Sequence, residues 1–459
     1  MIDPPLWLII LPLGAAIPVY LLRRWRFGSH LAAFVSIFAG ILAAILPPTN
    51  PMHLVGRTFL LDPLTQYTLA IHFIASAWLY VAGQPLRLGR HFLPLGLCIS
   101  GLFAVAAMSR HLAISSLAMT LAAIAAVPVI QDERPGSVRG SWRFLVIMCL
   151  ALPFFLLAAW HIDLYREDAG HAVYLPQAAV LLALGFGLWV AAFPVYSVLT
   201  TISAFSSPVS GVLVLIGFPM MALTLLGHVL AEATWFSWWE QTGRMLLLAG
   251  LASVTLGGLL VSIQRTLRAM LGYAALFDLG CLLIALAVQG TQGAVALYAG
   301  LATRAIGLML LGIATDTLLK EVGEDTLAGL HGIGRRQPLT TVALTIGSFT
   351  LTGTPLAAGF AGRWLMLRDL VQLDERWVWL VVLASLGVVT AYLRALYTLL
   401  RVDKITPHAS HAALGLWLPI SVSLILSLAA IALGVFPNPI LRVASMLITL
   451  YPLPRLIVQ

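Results

Sequence analysis

Charged residues are scarce in this sequence. Only 10% of its 459 residues are Asp, Glu, Lys or Arg, against about 25% in an ordinary soluble domain. Hydrophobic residues make up 60% of the chain, and its mean hydropathy is +0.98. This composition excludes a water-soluble globular protein, and no polar stretch is long enough to form a separate soluble domain.

Cysteine is almost as rare. Cys98, Cys149 and Cys281 stand alone in apolar runs, without the C-x-x-C spacing of redox or metal sites. A disulfide framework and an iron–sulfur cluster are therefore excluded. The sequence also lacks a Walker loop, a dinucleotide fingerprint and a His/Cys metal cluster. We expect no cofactor, no metal and no catalytic centre in this chain.

Long apolar runs recur along the whole sequence. They are about 17–22 residues long, enough to cross a bilayer core of about 30 Å as helices. We therefore expect an all-α polytopic membrane protein with 13 or 14 transmembrane helices. The net charge of +8 does not indicate nucleic-acid binding, because the basic residues lie in short loops between the apolar runs.

The basic residues also predict an orientation. Arg23, Arg24 and Arg26 follow the first apolar run. Loops rich in Lys and Arg stay on the cytoplasmic side of a membrane. We therefore expect a multi-pass protein of the inner (cytoplasmic) membrane with its N-terminus outside.

One apolar run is interrupted by proline and glycine at residues 353–364, which include Pro355, Gly359 and Arg363. A bilayer tolerates a broken helix only where protein or water satisfies the freed backbone groups. A charged side chain at that depth costs about 2.5–3.5 kcal/mol or more unless it is partnered. Arg363 is therefore either a functional charge or an arginine that reaches the interface from a helix end.

A second interruption lies at residues 192–210. It contains Pro194 and Pro208 with several Ser and Thr residues between them, whose hydroxyls can satisfy exposed backbone groups. Paired interruptions in two halves of an apolar chain are typical of inverted-repeat transporter folds. Taken alone, each interruption is equally compatible with an ordinary proline kink.

Four blocks of the sequence resemble a known family. They are residues 193–210, 264–280 and 327–364, and the tripeptide Tyr392-Leu393-Arg394. In order and spacing they resemble the antiporter-like proton-translocating subunits of respiratory complex I, membrane hydrogenases and multisubunit cation/proton antiporters. The resemblance covers roughly residues 60–400.

This resemblance implies a fourteen-helix fold with two inverted five-helix repeats, each carrying one broken helix. We expect the breaks near Pro194 and Pro355. The implied organisation has four parts: N-terminal helices in 1–108, the first repeat in 109–262, the second repeat in 263–405, and a C-terminal helix with a short tail in 406–459.

The resemblance also implies a relay of buried ionisable side chains, and here the chain departs from the family. The positions at which other residues replace that relay are Thr120, Trp189, Tyr196, Val214, Ala299, Thr303 and Gly307. Only Arg363 keeps a charge, where relatives carry lysine or glutamate. Arginine has a pKa above about 12 and does not release a proton usefully. We therefore expect that the relay is lost.

Three further ionisable residues lie inside predicted helices. Asp278 and Arg304 fall about half-way along neighbouring apolar runs, which predicts a buried ion pair because neither charge would be tolerated alone. The pair either holds helices together or belongs to a substitute ion path. His72 is more typical of a hydrogen-bonded core histidine than of a relay group.

These features predict a membrane subunit of a multisubunit proton- or cation-translocating complex that acts as a scaffold or half-pathway. The complex would be related to NADH:quinone oxidoreductase or to hydrogenase, and a second, intact antiporter-like subunit is an expected partner. Residues 320–336 are a candidate surface for a cytoplasmic partner. One alternative is an active translocator that uses Asp278, water and hydroxyls, including proton flux coupled to inorganic-carbon uptake with a soluble partner. Another is a stand-alone transporter of a small anion held by Arg363.

Overall fold

The computed structural model is built almost entirely of helices, as the apolar composition predicts. It describes residues 3–22, 25, 27–48, 51–54, 56–86, 88–131, 137–167, 173–237, 240–288, 291–401 and 416–453. The arginines at 23, 24 and 26, on which the predicted orientation depends, lie outside these residues.

Among the described residues, the first half of the chain contributes ten α-helices and a two-stranded hairpin. They are α1 Trp7–Leu21, α2 Phe27–Ile45, β1 Met52–Leu54, β2 Arg57–Phe59, α3 Pro63–Gly83, α4 Phe92–Met108, α5 Leu112–Ile130, α6 Ser137–Glu167, α7 Tyr174–Val190, α8 Ser197–Phe205, α9 Pro208–Glu232 and α10 Thr234–Ser237.

The described part of the second half contributes nine further α-helices. They are α11 Glu240–Ile263, α12 Leu267–Ala287, α13 Thr291–Val322, α14 Ile333–Arg336, α15 Pro338–Thr352, α16 Phe360–Leu373, α17 Glu375–Leu400, α18 Trp417–Val435 and α19 Asn438–Leu450.

Fourteen crossings of a membrane are accounted for by the described residues. Ten helices are individually long and apolar enough to span a bilayer. The 21-residue α3 and the 17-residue α4 add two crossings. The pairs α7/α8 and α15/α16 add one crossing each, because each pair is one helix broken near its middle. The expected all-α polytopic fold, with breaks near Pro194 and Pro355, is confirmed.

The order of helices repeats. The series α4, α5, α6, α7/α8, α9 and the series α11, α12, α13, α15/α16, α17 each contain a very long third helix, of 31 and 32 residues, followed by a broken helix. Five crossings are an odd number, so the second series runs through the membrane in the opposite direction to the first. This order alone does not fix the limits of the repeats, and the limits expected from the sequence stay a prediction.

The hairpin defines one side of the molecule. Strands β1 and β2 pair antiparallel, and Phe59 of β2 forms a bridge with Ser109 just after α4. Arg110, in the same connection, contacts Glu232 at the end of α9. The surface formed by the hairpin, residues 109–111 and Glu232 is referred to below as the hairpin side.

Glycines allow three helices of the second series to approach closely. A Cβ atom added at Gly250 of α11 would lie 2.8 Å from the carbonyl oxygen of Gly280 in α12. One added at Gly258 of α11 would lie 2.4 Å from the carbonyl oxygen of Ala384 in α17. Membrane helices lack a hydrophobic driving force between them, so such close backbone packing is a main source of their association.

Helix α19 lies in a region for which the sequence predicted only a short tail. Its residues Ile440, Ala444 and Leu447 recur at spacings of four and three and are buried. Tyr451, just after the helix, packs its ring against His228 near the end of α9. The segment therefore covers part of the hairpin side.

Candidate functional site

The break between α15 and α16 shapes the centre of the second series. Helix α15 ends at Thr352, and Gly353 follows in the left-handed conformation with φ of 72°. A Cβ atom at this position would lie 2.7 Å from the Cβ atom of Arg363. Glycine is therefore required both by the backbone conformation and by the arginine packed against it.

Three charged side chains meet next to this break. Asp278 of α12 accepts a hydrogen bond from Nη1 of Arg304 at 2.8 Å through Oδ2, and from Nη2 of Arg363 at 2.9 Å through Oδ1. The side chains of Asp278, Arg304 and Arg363 are only 5%, 1% and 11% exposed. The structure thus joins three of the four candidate charges into one group, referred to below as the Arg–Asp–Arg triad.

Backbone carbonyls complete the environment of both guanidinium groups. Arg304 also donates to the carbonyl oxygens of Ala275 and Leu215, at 2.9 and 3.1 Å. Arg363 donates to the carbonyl oxygen of Leu351 at 2.7 Å, which the end of α15 leaves free. These contacts replace much of the hydration that burial removes, and without them the desolvation of three charges would dominate.

The triad leaves almost no free space around it. A cavity of about 10 Å³ lies beside it, lined by Asp278, Thr303 and Arg363 among others. About 10–15 Å³ is needed to hold a single water molecule. A chain of several waters therefore does not fit between these side chains.

The break between α7 and α8 holds no charged side chain of its own. Helix α7 ends with Ala191 in the left-handed conformation, at φ of 54°, as Gly353 does after α15. The amide of Phe193 donates to Oγ of Ser253 in α11 at 3.0 Å. Pro194 lies in this break and Tyr196 is half-buried at its end. The two breaks thus have similar backbones but different chemistry.

Pro208 and Gly359, the other two positions expected at the breaks, each stand at the start of a helix. Pro208 is the first residue of α9, and Oγ of Ser207 before it accepts a hydrogen bond from the amide of Ser210 at 3.3 Å. Gly359 precedes α16, where a Cβ atom would lie only 2.0 Å from the carbonyl oxygen of Thr350. Glycine at 359 therefore lets the two halves of the broken helix approach.

The positions at which the resemblance implies a relay are occupied by packing residues. Trp189 is buried, with its ring 4.0 Å from that of Phe155. Thr120 donates to the carbonyl oxygen of Ser116 in its own helix at 2.8 Å. The remaining relay positions that are buried in the core or closely packed are Val214, Ala299, Thr303 and Gly307. None of these side chains can exchange a proton at neutral pH.

His72 lies apart from the triad, in α3. It is fully buried, and its Nε2 forms a hydrogen bond of 3.0 Å with Oγ of Ser100 in α4. Its ring also packs edge-on against Phe103. This is the environment of a hydrogen-bonded core histidine.

Sequence reasoning missed a second charged group, on the hairpin side. Asp62 caps the N-terminus of α3 and contacts Arg110, and its Oδ2 lies 3.1 Å from Nε2 of His228. Burial raises the pKa of Asp62, but His228, Arg110 and the amide of Thr65 outweigh it and hold that pKa well below its usual range. The available signal was the sequence Asp62-Pro63 before an apolar run, which is typical of a helix N-cap followed by proline at N1.

Residues 320–336, the candidate partner surface, are tied to the connection between α11 and α12. Thr326 forms a β-bridge with Thr266, and Oδ2 of Asp325 lies 3.7 Å from Nε of Arg268. Nε2 of Gln337 donates to Glu321 at 2.6 Å. These contacts give the segment a defined shape on the side opposite the hairpin.

Sequence comparison connects the chain to proteins of known class. The family described as NADH:quinone oxidoreductase/Mrp antiporter, TM, matches residues 162–390. NADH-quinone oxidoreductase subunit N 2 of Acidobacterium capsulatum is 26% identical, over 90% of this chain and 91% of its own length. Subunit N of Rhodopseudomonas palustris is also 26% identical, over 83% of this chain and 84% of its own length.

Comparison with solved structures finds the fold of this chain in two membrane complexes. A chain of the Mrp complex from Dietzia sp. superposes with a TM-score of 0.84 at 15% identity, over 98% of both chains. A chain of respiratory complex I from Thermus thermophilus superposes with a TM-score of 0.79 at 18% identity, over 98% of this chain and all of that one. At these identities the superpositions establish the shared architecture.

Proposed function

Because the chain belongs to the antiporter-like family of membrane subunits, we propose that it is a subunit of a multisubunit proton- or cation-translocating complex. Within that complex it acts as a scaffold or half-pathway without a complete proton relay of its own. The host would be related to NADH:quinone oxidoreductase, a membrane hydrogenase or a multisubunit antiporter.

The observation that carries this proposal is the Arg–Asp–Arg triad. Relay chemistry needs groups that gain and lose a proton, and a guanidinium does not. Asp278 is the one carboxylate of the triad, and each of its oxygens already accepts a hydrogen bond from an arginine. Both of its oxygens are thus held by fixed arginine contacts and not by groups that exchange a proton.

The competing function is an active translocator that uses Asp278 and hydroxyl groups, with or without coupling to inorganic-carbon uptake. Two of the hydroxyls available to it, those of Thr120 and Thr303, give it little support. Both donate to carbonyl oxygens of their own helices, at 2.8 and 3.2 Å. Neither contact links one helix to the next, as a relay would require.

The proposed membrane location and partner subunits follow from the same family. We place the chain in the inner (cytoplasmic) membrane with its N-terminus outside, which puts the hairpin side outside and residues 320–336 on the cytoplasmic side. Its partners would be other membrane subunits, including an antiporter-like subunit with an intact relay. A cytoplasmic subunit would dock at residues 320–336.

The complex that co-purifies with the chain is reconstituted in liposomes. The test then compares the proton flux of the wild-type complex with that of a variant. The informative variant removes the whole triad at once, as Asp278→Leu with Arg304→Met and Arg363→Met. Because apolar residues of similar size often replace a buried ion group without loss of stability, assembly should persist. We expect the proton flux per turnover to remain that of the wild type.

Assembly must be verified in the same sample, for example by native gel electrophoresis of the complex. Arg442→Met, at an exposed position of α19, is a matched control for the loss of a positive charge. A loss of proton flux in the triad variant, with assembly intact and the control unchanged, would reject the scaffold and support the translocator.

A further inference from the structure

An apolar groove lies beside the break between α7 and α8, among helices α6, α7, α9 and α11. Its volume is about 540 Å³, and of the described residues that line it only Thr242 is polar. The hydroxyl of Thr242 already donates to the carbonyl oxygen of Phe236 in α10, at 3.0 Å. The groove is separate from the triad, with which it shares no lining residue.

The groove opens sideways, toward the bilayer. Leu150 of α6, Leu184 of α7 and Leu248 of α11 line it, and each of these side chains is about half exposed. Helix α11 lines it from Thr242 to Ala249, which is a rise of about 10 Å along the helix. One leaflet of the hydrocarbon core is about 15 Å thick. The groove therefore follows one leaflet, from the hairpin side toward the break at the middle of the membrane.

The break itself offers this groove no free amide. The amide of Phe193 donates to Oγ of Ser253, and that of Val195 donates to the carbonyl oxygen of Ala192 at 2.7 Å. Pro194, between them, has no amide hydrogen. Water does not settle in an apolar cavity of this kind, and an empty one would lose the dispersion contacts of its walls. Hydrocarbon is the occupant that such a lining favours.

The size of the groove distinguishes an acyl chain from a helix. At the second break, α18 of the same chain packs on the backbone, since a Cβ atom added at Gly434 would lie 2.2 Å from the carbonyl oxygen of Leu356. A helix about 10–12 Å wide occupies roughly 800–1,100 Å³ over a length of about 10 Å. That volume is larger than the groove beside the first break, whereas a single hydrocarbon chain is much narrower than a helix.

A positive charge stands at the hairpin-side end of the groove. Arg244 of α11 is exposed. It precedes Met245 and lies one turn before Leu248, both of which line the groove. An arginine near the end of a membrane helix extends its guanidinium group toward the interface, where it attracts the phosphate of a lipid headgroup. The apolar groove and this charge together match the two parts of a phospholipid.

We propose that the groove is a phospholipid site, which holds one acyl chain of a lipid from the leaflet of the hairpin side while Arg244 binds the headgroup phosphate. The bound chain fills the space between α7 of the first series and α11 of the second. It thereby connects the two series beside the first break. The inference concerns a lipid and does not depend on whether protons cross the centre of the molecule.

The test counts lipids bound to the delipidated full chain by native mass spectrometry, during titration with palmitoyl-oleoyl phosphatidylglycerol. We expect one molecule to bind before all others. Gly187→Leu should reduce its occupancy by at least about fivefold, because the leucine side chain takes up space in the groove. Gly187 lines the groove and has no atom within 4 Å of an added Cβ atom, so the variant should fold. Gly14→Leu in α1 is the matched control, since Gly14 is also exposed with no atom within 4 Å, and it should bind lipid as the wild type does.

A second variant tests the contact with the headgroup. Arg244→Gln should weaken binding of the same lipid by about fivefold, because one arginine near the membrane surface contributes about 1 kcal/mol to the attraction of an anionic lipid. Arg442→Gln, at an exposed position of α19, is the control for the loss of a positive charge and should leave this occupancy unchanged. Equal occupancy in wild type, Gly187→Leu and Arg244→Gln would overturn the proposal.

A third experiment identifies the occupant in the native complex. The photoreactive residue p-benzoylphenylalanine replaces Met245, which lines the groove, and the complex is irradiated in its membrane before purification. Mass spectrometry of the products should show this residue joined to a phospholipid acyl chain. A product that joins it to a helix of another subunit would overturn the proposal, because the groove would then be part of a protein interface.

Discussion

Asp278 is the residue on which the centre of this molecule depends, since each of its carboxylate oxygens accepts a hydrogen bond from a different arginine. Sequence reasoning found both arginines and the aspartate but paired only Asp278 with Arg304. Arg363 lies 85 residues from Asp278 in the chain, and helical periodicity alone does not show which helices touch. The third member of the triad could be assigned only from the structure.

The triad gives a prediction for the effect of neutralising Asp278. Asp278→Asn leaves two buried guanidinium groups without a counter-charge, so it should lower the free energy of unfolding by about 3–5 kcal/mol. Adding Arg304→Met should recover only part of this loss, because Arg363 remains unpaired. Adding Arg363→Met as well should recover most of it. Equilibrium unfolding in detergent micelles measures these differences.

The matched control for this series is Asp163→Asn. Asp163 also pairs with an arginine, Arg166, but both side chains are more than half exposed. Exposed ion pairs contribute about 0–1 kcal/mol, so this variant should unfold nearly as the wild type does. Full recovery of stability by the Asp278/Arg304 double change alone would show that Arg363 does not depend on Asp278.

At the scale of helices, the two breaks combine similar backbones with different side chains. Both could be predicted from the sequence, because proline and glycine inside a long apolar run interrupt the backbone hydrogen bonds of a membrane helix. Helix α19 could not be predicted, because its 13 residues are too short for a span, follow Pro437 and include Pro439 in the first turn. Its position depends on packing against other helices, which the local sequence does not specify.

Close helix packing gives a second prediction, for two glycines in helix interiors. Gly258→Ala should lower the unfolding temperature, because the added Cβ atom would lie 2.4 Å from a carbonyl oxygen of α17, and such overpacking costs about 1–3 kcal/mol. Gly187→Ala in α7 meets nothing within 4 Å. It should raise the unfolding temperature, because alanine favours a helix over glycine by about 1 kcal/mol. A thermal unfolding series in one detergent compares the two, and shifts of the same sign would contradict the described α11–α17 contact.

At the scale of the whole molecule, the number of membrane crossings decides on which side of the membrane each described end of the chain lies. The sequence allowed 13 or 14 spans, since it could not show whether each interrupted run was one helix or two. Fourteen is an even number, so the start of α1 and helix α19 lie on the same side. Residues 323–325, after eleven crossings, lie on the other side.

This arrangement can be checked with single cysteines at the exposed positions Asp3→Cys, Ser445→Cys and Glu324→Cys. The background variant would lack the half-buried Cys98 and Cys149. A membrane-impermeant maleimide added from outside should label the first two positions together and leave the third unlabelled, if the N-terminus is outside. Labelling of Ser445→Cys together with Glu324→Cys, and not with Asp3→Cys, would instead require an odd number of spans.

The net positive charge of the triad affects how well the protein prevents cations from crossing the membrane. Two guanidinium groups and one carboxylate leave one fixed positive charge in the interior, with little room for water beside it. A cation that approached to about 4 Å would be repelled by about 4 kcal/mol at an effective dielectric constant of about 20. Every 1.4 kcal/mol is tenfold, so its occupancy there would fall by about a thousandfold. On the proposed function, this charge would act as an electrostatic barrier to cations at the centre of the chain and would limit their leakage through the complex.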